Sequence, residues 1–258
     1  MARYLNAATI MTTSTPRALE VARETGYAGI EARAERLLED TDELRATAAA
    51  VGEGEVWSLN GVRIPLDDRG GLDRERLEAD LPPRLDVCRE VGCATLLAVP
   101  PRMASLTEEV AIGGMRDGLQ LAQERAAAVG VGIAFEFLGF ADCPIRTPAA
   151  AARIVFGIEG VGLVLDSCHW HASGSGSLDE YPIERLAMVH LNDAPDKRPE
   201  LVEDADRLLP GRGVIRLGDL IGDLGARGYA GPWSLETFNP GYWKLDPLAV
   251  ARDGGAAL

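Results

Sequence analysis

Short apolar runs alternate with longer amphipathic stretches along this 258-residue chain. The runs fall at residues 4–9, 28–32, 56–60, 95–99, 132–137, 162–166, 188–192 and 233–237. Stretches rich in Ala, Leu, Glu and Arg lie between them, at 16–25, 42–51, 74–90, 106–128, 148–156, 178–185 and 217–227. Eight such units average roughly 32 residues, the size of one strand–helix repeat. GVGIAFEF and GVGLVLD carry no polar alternation, which marks parallel strands covered on both faces. GYAGIEAR, VGCATLLAV, VGVGIAFEF and GYAGPWSLE each read as a helix stopped at glycine and followed by a strand. Thr15–Pro16 and Thr147–Pro148 read as a cap followed by a first-turn proline. No linker or low-complexity segment divides the chain, so a single-domain (β/α)8 TIM barrel over residues 1–258 is expected. An open Rossmann-like sheet is the runner-up, and no GxGxxG follows the first run to support it.

Composition narrows the function. Forty acidic residues against 26 basic ones give a net charge of -14, which phosphate backbones repel, so no nucleic-acid partner is expected. No window of about 18 apolar residues reads as a membrane span, and the first residues show no signal-peptide pattern. The cysteines, Cys88, Cys93, Cys143 and Cys168, form no CxxC pair, and free thiols imply a cytoplasmic protein. The chain has only three histidines, His169, His171 and His190, all within 22 residues.

Active sites of barrels form where strands end. Here the fifth to eighth runs end in or carry Glu136, Asp166, His190 and Glu236. An ionisable group in an apolar run is costly without a partner. Each alone could cap the next helix, but on four consecutive strands they converge. Three carboxylates and an imidazole suit one divalent cation, with Mn²⁺ first and Mg²⁺, Co²⁺ or Zn²⁺ as alternatives. His169, just past the sixth run, either faces this site or caps the next helix, and His171 is left undecided between site and packing. Cys168 is expected to pack, lacking the basic neighbour of a nucleophile. The longest irregular stretch, 193–214, is expected at the catalytic face and carries Arg207. That arginine either forks onto a substrate oxygen or pairs with Asp204 or Asp206 at the surface. Asn60 and Lys244 are candidates to bind hydroxyls, and Glu31 and Arg33 are expected to pair with each other while also facing the site. Trp170, Phe238, Tyr242 and Trp243 offer apolar walls for a sugar-like ring. With two lysines and no glycine-rich loop, the chain shows neither a phosphate-binding lysine cluster nor a cradle for an organic cofactor.

The segments LNAAT, GYAGIEAR, LAVP, FEFLG, GLVLDSCHWHASGS, DADRLLPGRGVI and SLETFNPGYWKL resemble the xylose-isomerase-like TIM-barrel sugar isomerases and epimerases, and within them the inosose isomerase branch. The resemblance runs from first strand to last. It implies metal ligands at Glu136, Asp166, His190 and Glu236, and substrate contacts from His169 and Arg207. It departs at Ala7, where relatives often carry a polar residue, and around residues 63–68. It implies a small polyhydroxy ketone substrate and leaves room for a homo-oligomer.

The chemistry expected of such a site is carbonyl migration along a cyclitol or sugar α-hydroxyketone through an enediolate. Glu136 and Glu236 are the candidates to remove and return the α-proton. If the group β to the carbonyl leaves, the same site becomes a dehydratase of the 3-dehydroshikimate type. An apurinic endonuclease shares the barrel but needs more histidines and a less acidic chain. A non-catalytic sugar-binding protein would not need the complete ligand set.

Overall fold

The computed structural model describes residues 2–256. Eight strands form one closed parallel barrel in sequence order: β1 (Arg3–Asn6), β2 (Gly29–Arg33), β3 (Val56–Arg63), β4 (Thr95–Val99), β5 (Gly132–Glu136), β6 (Val161–Asp166), β7 (Leu186–Leu191) and β8 (Trp233–Leu235). Strand β1 pairs with both β2 and β8, so no edge is left open. The helices are α1 (Thr15–Glu24), α2 (Ala34–Glu39), α3 (Thr41–Ala50), α4 (Arg74–Glu90), α5 (Glu108–Ala127), α6 (Pro148–Val155), α7 (Ser167–Ala172), α8 (Leu217–Ala226) and α9 (Pro247–Gly255). Closure excludes the open-sheet alternative. Among the described residues, no helix is long and apolar enough to cross a membrane.

The period-2 alternation of each strand sets the two sides of the barrel wall. Leu5, Ile30, Leu59, Leu96, Ile133, Phe135, Leu163, Leu165, Val189 and Leu235 belong to the large buried core shared with the helices. Burial of each side chain of this size stabilises the fold by about 2 kcal/mol. Leu97, Ala134, Val164 and Met188 form a separate small cluster inside the barrel. Glu136, Asp166 and His190 lie two positions beyond Ala134, Val164 and Met188 on their own strands, so they project inward one layer higher.

Most expected elements are present, with informative differences. The first strand stops at Asn6, because its side chain accepts a hydrogen bond from Ala8 N (3.0 Å) and turns the chain into a short 3₁₀ turn over Ala7–Ile10. The stretch 178–185 is not an α-helix. Pro182 interrupts it, and only Ile183–Arg185 forms a 3₁₀ turn. Helices α2, α7 and α9 are additional. Thr147 does cap α6, accepting from Ala150 N, but Thr15 lies inside α1 and donates through both N–H and hydroxyl to Glu43. Gly26, Gly92, Gly130 and Gly228 all have positive φ after a helix, as the helix-stop reading requires.

The long β7–α8 connection is built rather than loose. Asp193 and Leu208 form an antiparallel bridge. The Asp193 carboxylate accepts from the backbone N–H groups of Ala194, Gly213 and Ile215, each at 2.9 Å. The two ends of the loop are thereby held together, and Arg207 is carried to the barrel mouth.

Candidate functional site

Glu136 ends β5, Asp166 ends β6, His190 lies near the end of β7, and Glu236 follows β8. Their ligating atoms all lie within 4.8 Å of one another, and all four residues are buried. His190 Nδ1 faces into the cluster, 2.9 Å from Glu136 Oε1 and 3.1 Å from Glu236 Oε2. Its other nitrogen, Nε2, faces Glu31 at 3.2 Å. That is the carboxylate–histidine arrangement that orients a metal-binding imidazole.

A second layer of polar groups holds the cluster. Asn6 donates to Glu236 Oε1 (2.8 Å) and Glu31 Oε1 (3.2 Å). Ser58 donates to Glu31 Oε2 (2.5 Å). Asn192 donates to Asp166 Oδ2 (2.6 Å), and the Asp166 carboxylate also accepts from His169 N (2.7 Å) at the start of α7. Arg207 is 1% exposed and donates from Nη1 to Asp166 (2.9 Å) and Glu236 (3.0 Å). Its Nη2 lies 2.8 Å from both His169 Nε2 and Asp204 Oδ1. Facing an arginine donor, His169 Nε2 is the acceptor and the ring is neutral. Burial and the Arg207 charge both hold its pKa well below the usual histidine value.

Electrostatics separate the two glutamates. Burial pushes Glu136 up to about 8, and the His190 charge offsets this only in part. Burial acts on Glu236 too, but His190 and Arg207 together hold it well below the ordinary carboxylate range. Burial would lower His190, yet Glu236, Glu31 and Glu136 raise it well above its usual value. Without a metal the centre balances its carboxylates with an imidazolium and a guanidinium. The donor set fits a divalent cation: three carboxylates and one imidazole, convergent, buried and oriented by hydrogen bonds.

A cavity of about 990 Å³ opens above this centre and is lined by Glu136, His169, Arg207, Glu236, Asn60 and Phe238, among others. Several expectations change here. Asn60 lines the cavity, but its amide donates to Glu236 Oε1 (3.3 Å) and its carbonyl accepts from Ser58, so it serves the cluster. Lys244 does not reach the site. It is exposed at the end of a 3₁₀ turn over Tyr242–Lys244, outside the cavity lining. Glu31 pairs with His190, and Arg33 pairs with Glu35 (3.3 Å), so they are not partners of each other. Arg207 does meet Asp204, as its surface alternative supposed, but it is buried in the centre. Of the four aromatic walls only Phe238 lines this cavity, and Phe140, edge-on to His169 at 4.8 Å, is an unforeseen second. Trp170 and His171 line a separate cavity of about 560 Å³ beside α7 and α8. Cys168 is buried in packing. The functional groups missed by sequence reasoning are Asn6, Ser58 and Asn192. A polar residue on the inward parity of a strand was the available signal for Asn6 and Ser58.

The chain is 36% identical over 137 residues to an inosose isomerase of Halalkalibacterium halodurans, a match covering 50% of this chain and 49% of the relative. It is 30% identical over 203 residues to a 3-dehydroshikimate dehydratase of Pseudomonas aeruginosa, covering 75% of this chain and 32% of that one. The chain thus spans half or less of the length of these curated relatives. The crystal structure of an IolI protein with a bound zinc atom superposes with a TM-score of 0.86 at 25% identity, covering 100% of this chain and 96% of that one. A family profile described as xylose isomerase-like TIM barrel matches residues 19–258. Fold, strand-end cluster and profile agree, and the chain belongs to the xylose isomerase-like TIM barrel family.

Proposed function

We propose that this protein is a divalent-metal-dependent isomerase or epimerase acting on a keto-cyclitol or keto-sugar. The observation that carries the reading is the buried convergence of Glu136, Asp166, His190 and Glu236 beneath an open cavity. The similarity to inosose isomerases and to a zinc-bound IolI protein supports it. A cation held by these four residues, Mn²⁺ first, supplies Lewis-acid polarisation of a substrate carbonyl.

The protein's own groups divide the remaining work. Both oxygens of Glu236 are engaged, Oε1 by Asn6 and Asn60 and Oε2 by Arg207 and His190. Among the described residues, Glu136 is tied only through Oε1, to His190. Its second oxygen is available to take the α-proton of a ketone bound above it. Glu236, held ionised by those donors, is the anchored partner that fixes the site, and the proton taken by Glu136 is the one Glu136 returns to the neighbouring carbon. Arg207 Nε is a buried donor with no protein acceptor among the described residues, and it is assigned to a substrate oxygen. Neutral His169, accepting at Nε2, offers its Nδ1–H to another.

Glu136→Gln is expected to abolish deuterium incorporation from D₂O at the substrate α-carbon, followed by NMR with inosose and Mn²⁺-loaded protein. Retained incorporation refutes the role. The 30% identity to a 3-dehydroshikimate dehydratase favours one alternative, in which the same enolate expels a β-hydroxyl. An aromatic product absorbing in the ultraviolet from 3-dehydroshikimate would establish that outcome.

A further inference from the structure

The cavity above the metal-ligand cluster continues well past the space one six-membered ring needs. At its buried end lie Glu136 and Glu236, and at its exposed end lie Arg63, at the end of β3, and Arg76, in the first turn of α4. Arg33 and Arg84 border the same outer space. Arg84 is fixed: Nε donates to Gly61 O (2.8 Å), and Nη1 bonds to Asp80. Arg33 lies over Phe238 at 5.4 Å and reaches Glu35 at 3.3 Å. The lining carboxylates Glu35 and Asp80 are therefore spent on Arg33 and Arg84.

Arg63 and Arg76 differ from these. Among the described residues, neither guanidinium has a hydrogen-bond or ion-pair partner. One free carboxylate, Asp68, lines the space with them. A chain with 40 acidic and 26 basic residues thus presents an excess of free positive charge at this one cavity. The connection between these arginines is rigid. Asp67 Oδ1 accepts from Arg69 N and Gly71 N, and Leu66 bridges Leu72. The connection also lies flat on α5, where a Cβ on Gly114 would stand 2.3 Å from Gly70 O.

We infer that the outer end of the cavity is an anion subsite, in which Arg63 and Arg76 receive a carboxylate or phosphate substituent of the substrate. The inference rests on the proposed reading of the buried end as the centre that engages the ketone. Guanidinium forks match both anions, and their charge-assisted hydrogen bonds are the stronger kind. A neutral cyclitol engaged at the buried end leaves both arginines without a partner. A keto-acid ring or a sugar phosphate fills them.

The test is isothermal titration of Mn²⁺-supplied protein with three probes: myo-inositol, shikimate and fructose 6-phosphate. Wild type is expected to bind at least one anionic probe about tenfold or more tightly than myo-inositol. The double variant Arg63→Gln/Arg76→Gln is expected to lose that margin with myo-inositol binding unchanged. Both side chains are exposed and unpartnered, so an unchanged melting temperature confirms that the variant folds. Preference for shikimate identifies a carboxylate, and preference for fructose 6-phosphate identifies a phosphate. Equal binding of all three probes, no binding of either anion, or a margin that survives the double substitution overturns the inference. Deuterium exchange on inosose tests the ketone reading separately. Exchange together with a lost anion preference would sink the subsite alone, and anion binding without exchange would sink the reaction alone.

Discussion

Glu136 and Glu236 carry the same side chain, and their surroundings make them different acids. Glu136 is buried with one protein partner and titrates near 8, whereas Glu236 is surrounded by donors and stays ionised. In the proposed metal centre a cation would bind the carboxylate of Glu136 and the unprotonated Nδ1 of His190, whereas burial and the surrounding carboxylates favour the protonated form of both groups without metal. Binding must displace those protons, so apparent Mn²⁺ affinity is expected to rise as pH climbs towards 8. Titrations across pH 6 to 9 check this, and affinity that falls over that range contradicts it. Glu31 orients His190 and shares Asn6 with Glu236 but is not one of the four converging residues, so Glu31→Gln is expected to weaken metal binding by about 10- to 100-fold without removing a ligand. Equilibrium dialysis against Mn²⁺ reads this directly, and an unchanged Kd would remove Glu31 from the centre. The four converging residues were legible in the sequence because a charged residue closing an apolar run is conspicuous. Glu31 ends such a run too, but Arg33 two residues on offered a local partner, and the true partner is 159 residues away. Lys244 failed for the opposite reason: strand order placed it near the mouth, and the 3₁₀ turn over Tyr242–Lys244 leaves it exposed.

Elements place these residues through short-range rules that the sequence states openly. Strand parity and glycine stops give the barrel, and only ends and short pieces escape them. Helix α7 is six residues long, and its sequence SCHWHA has no apolar period to reveal it. It forms because Asp166 caps it, and the cap positions His169. The β5–α6 connection then presses on it, since a Cβ on Gly139 would lie 2.1 Å from His169 O. Gly139→Val is expected to displace α7 and lower kcat/KM by about tenfold or more, because small misplacements near reacting groups are costly. Steady-state kinetics on Mn²⁺-loaded protein decide it, and wild-type activity would contradict the packing argument. In the β7–α8 loop, Asp193→Ala leaves three backbone N–H groups without their acceptor, each costing about 1–3 kcal/mol if kept buried. The loop is expected to loosen instead, and trypsin to cut faster after Lys197. Unchanged cleavage would show that Asp193 does not hold the loop.

At the scale of the whole molecule, a closed barrel with a continuous apolar wall tolerates a dense group of charges at one end. The carboxylates Glu31, Glu136, Asp166 and Glu236 share that end with His190 and Arg207. A bound cation adds to the stability of the folded state alone. At a concentration 100 times its Kd, Mn²⁺ is expected to contribute about 2.7 kcal/mol. For a domain of this length that is a rise of roughly 5–10 °C in melting temperature. Scanning calorimetry with and without EDTA measures it, and identical transitions would argue against a resident metal. The central claim is that these four buried ligands form a metal centre that labilises the proton beside a ketone. Its most direct measurement is deuterium incorporation into inosose in D₂O by EDTA-stripped protein and by the same sample after Mn²⁺ is restored. Incorporation that is absent in the stripped protein and returns with Mn²⁺ is expected. Incorporation that proceeds equally without metal, or fails to appear once metal is bound, would contradict the account.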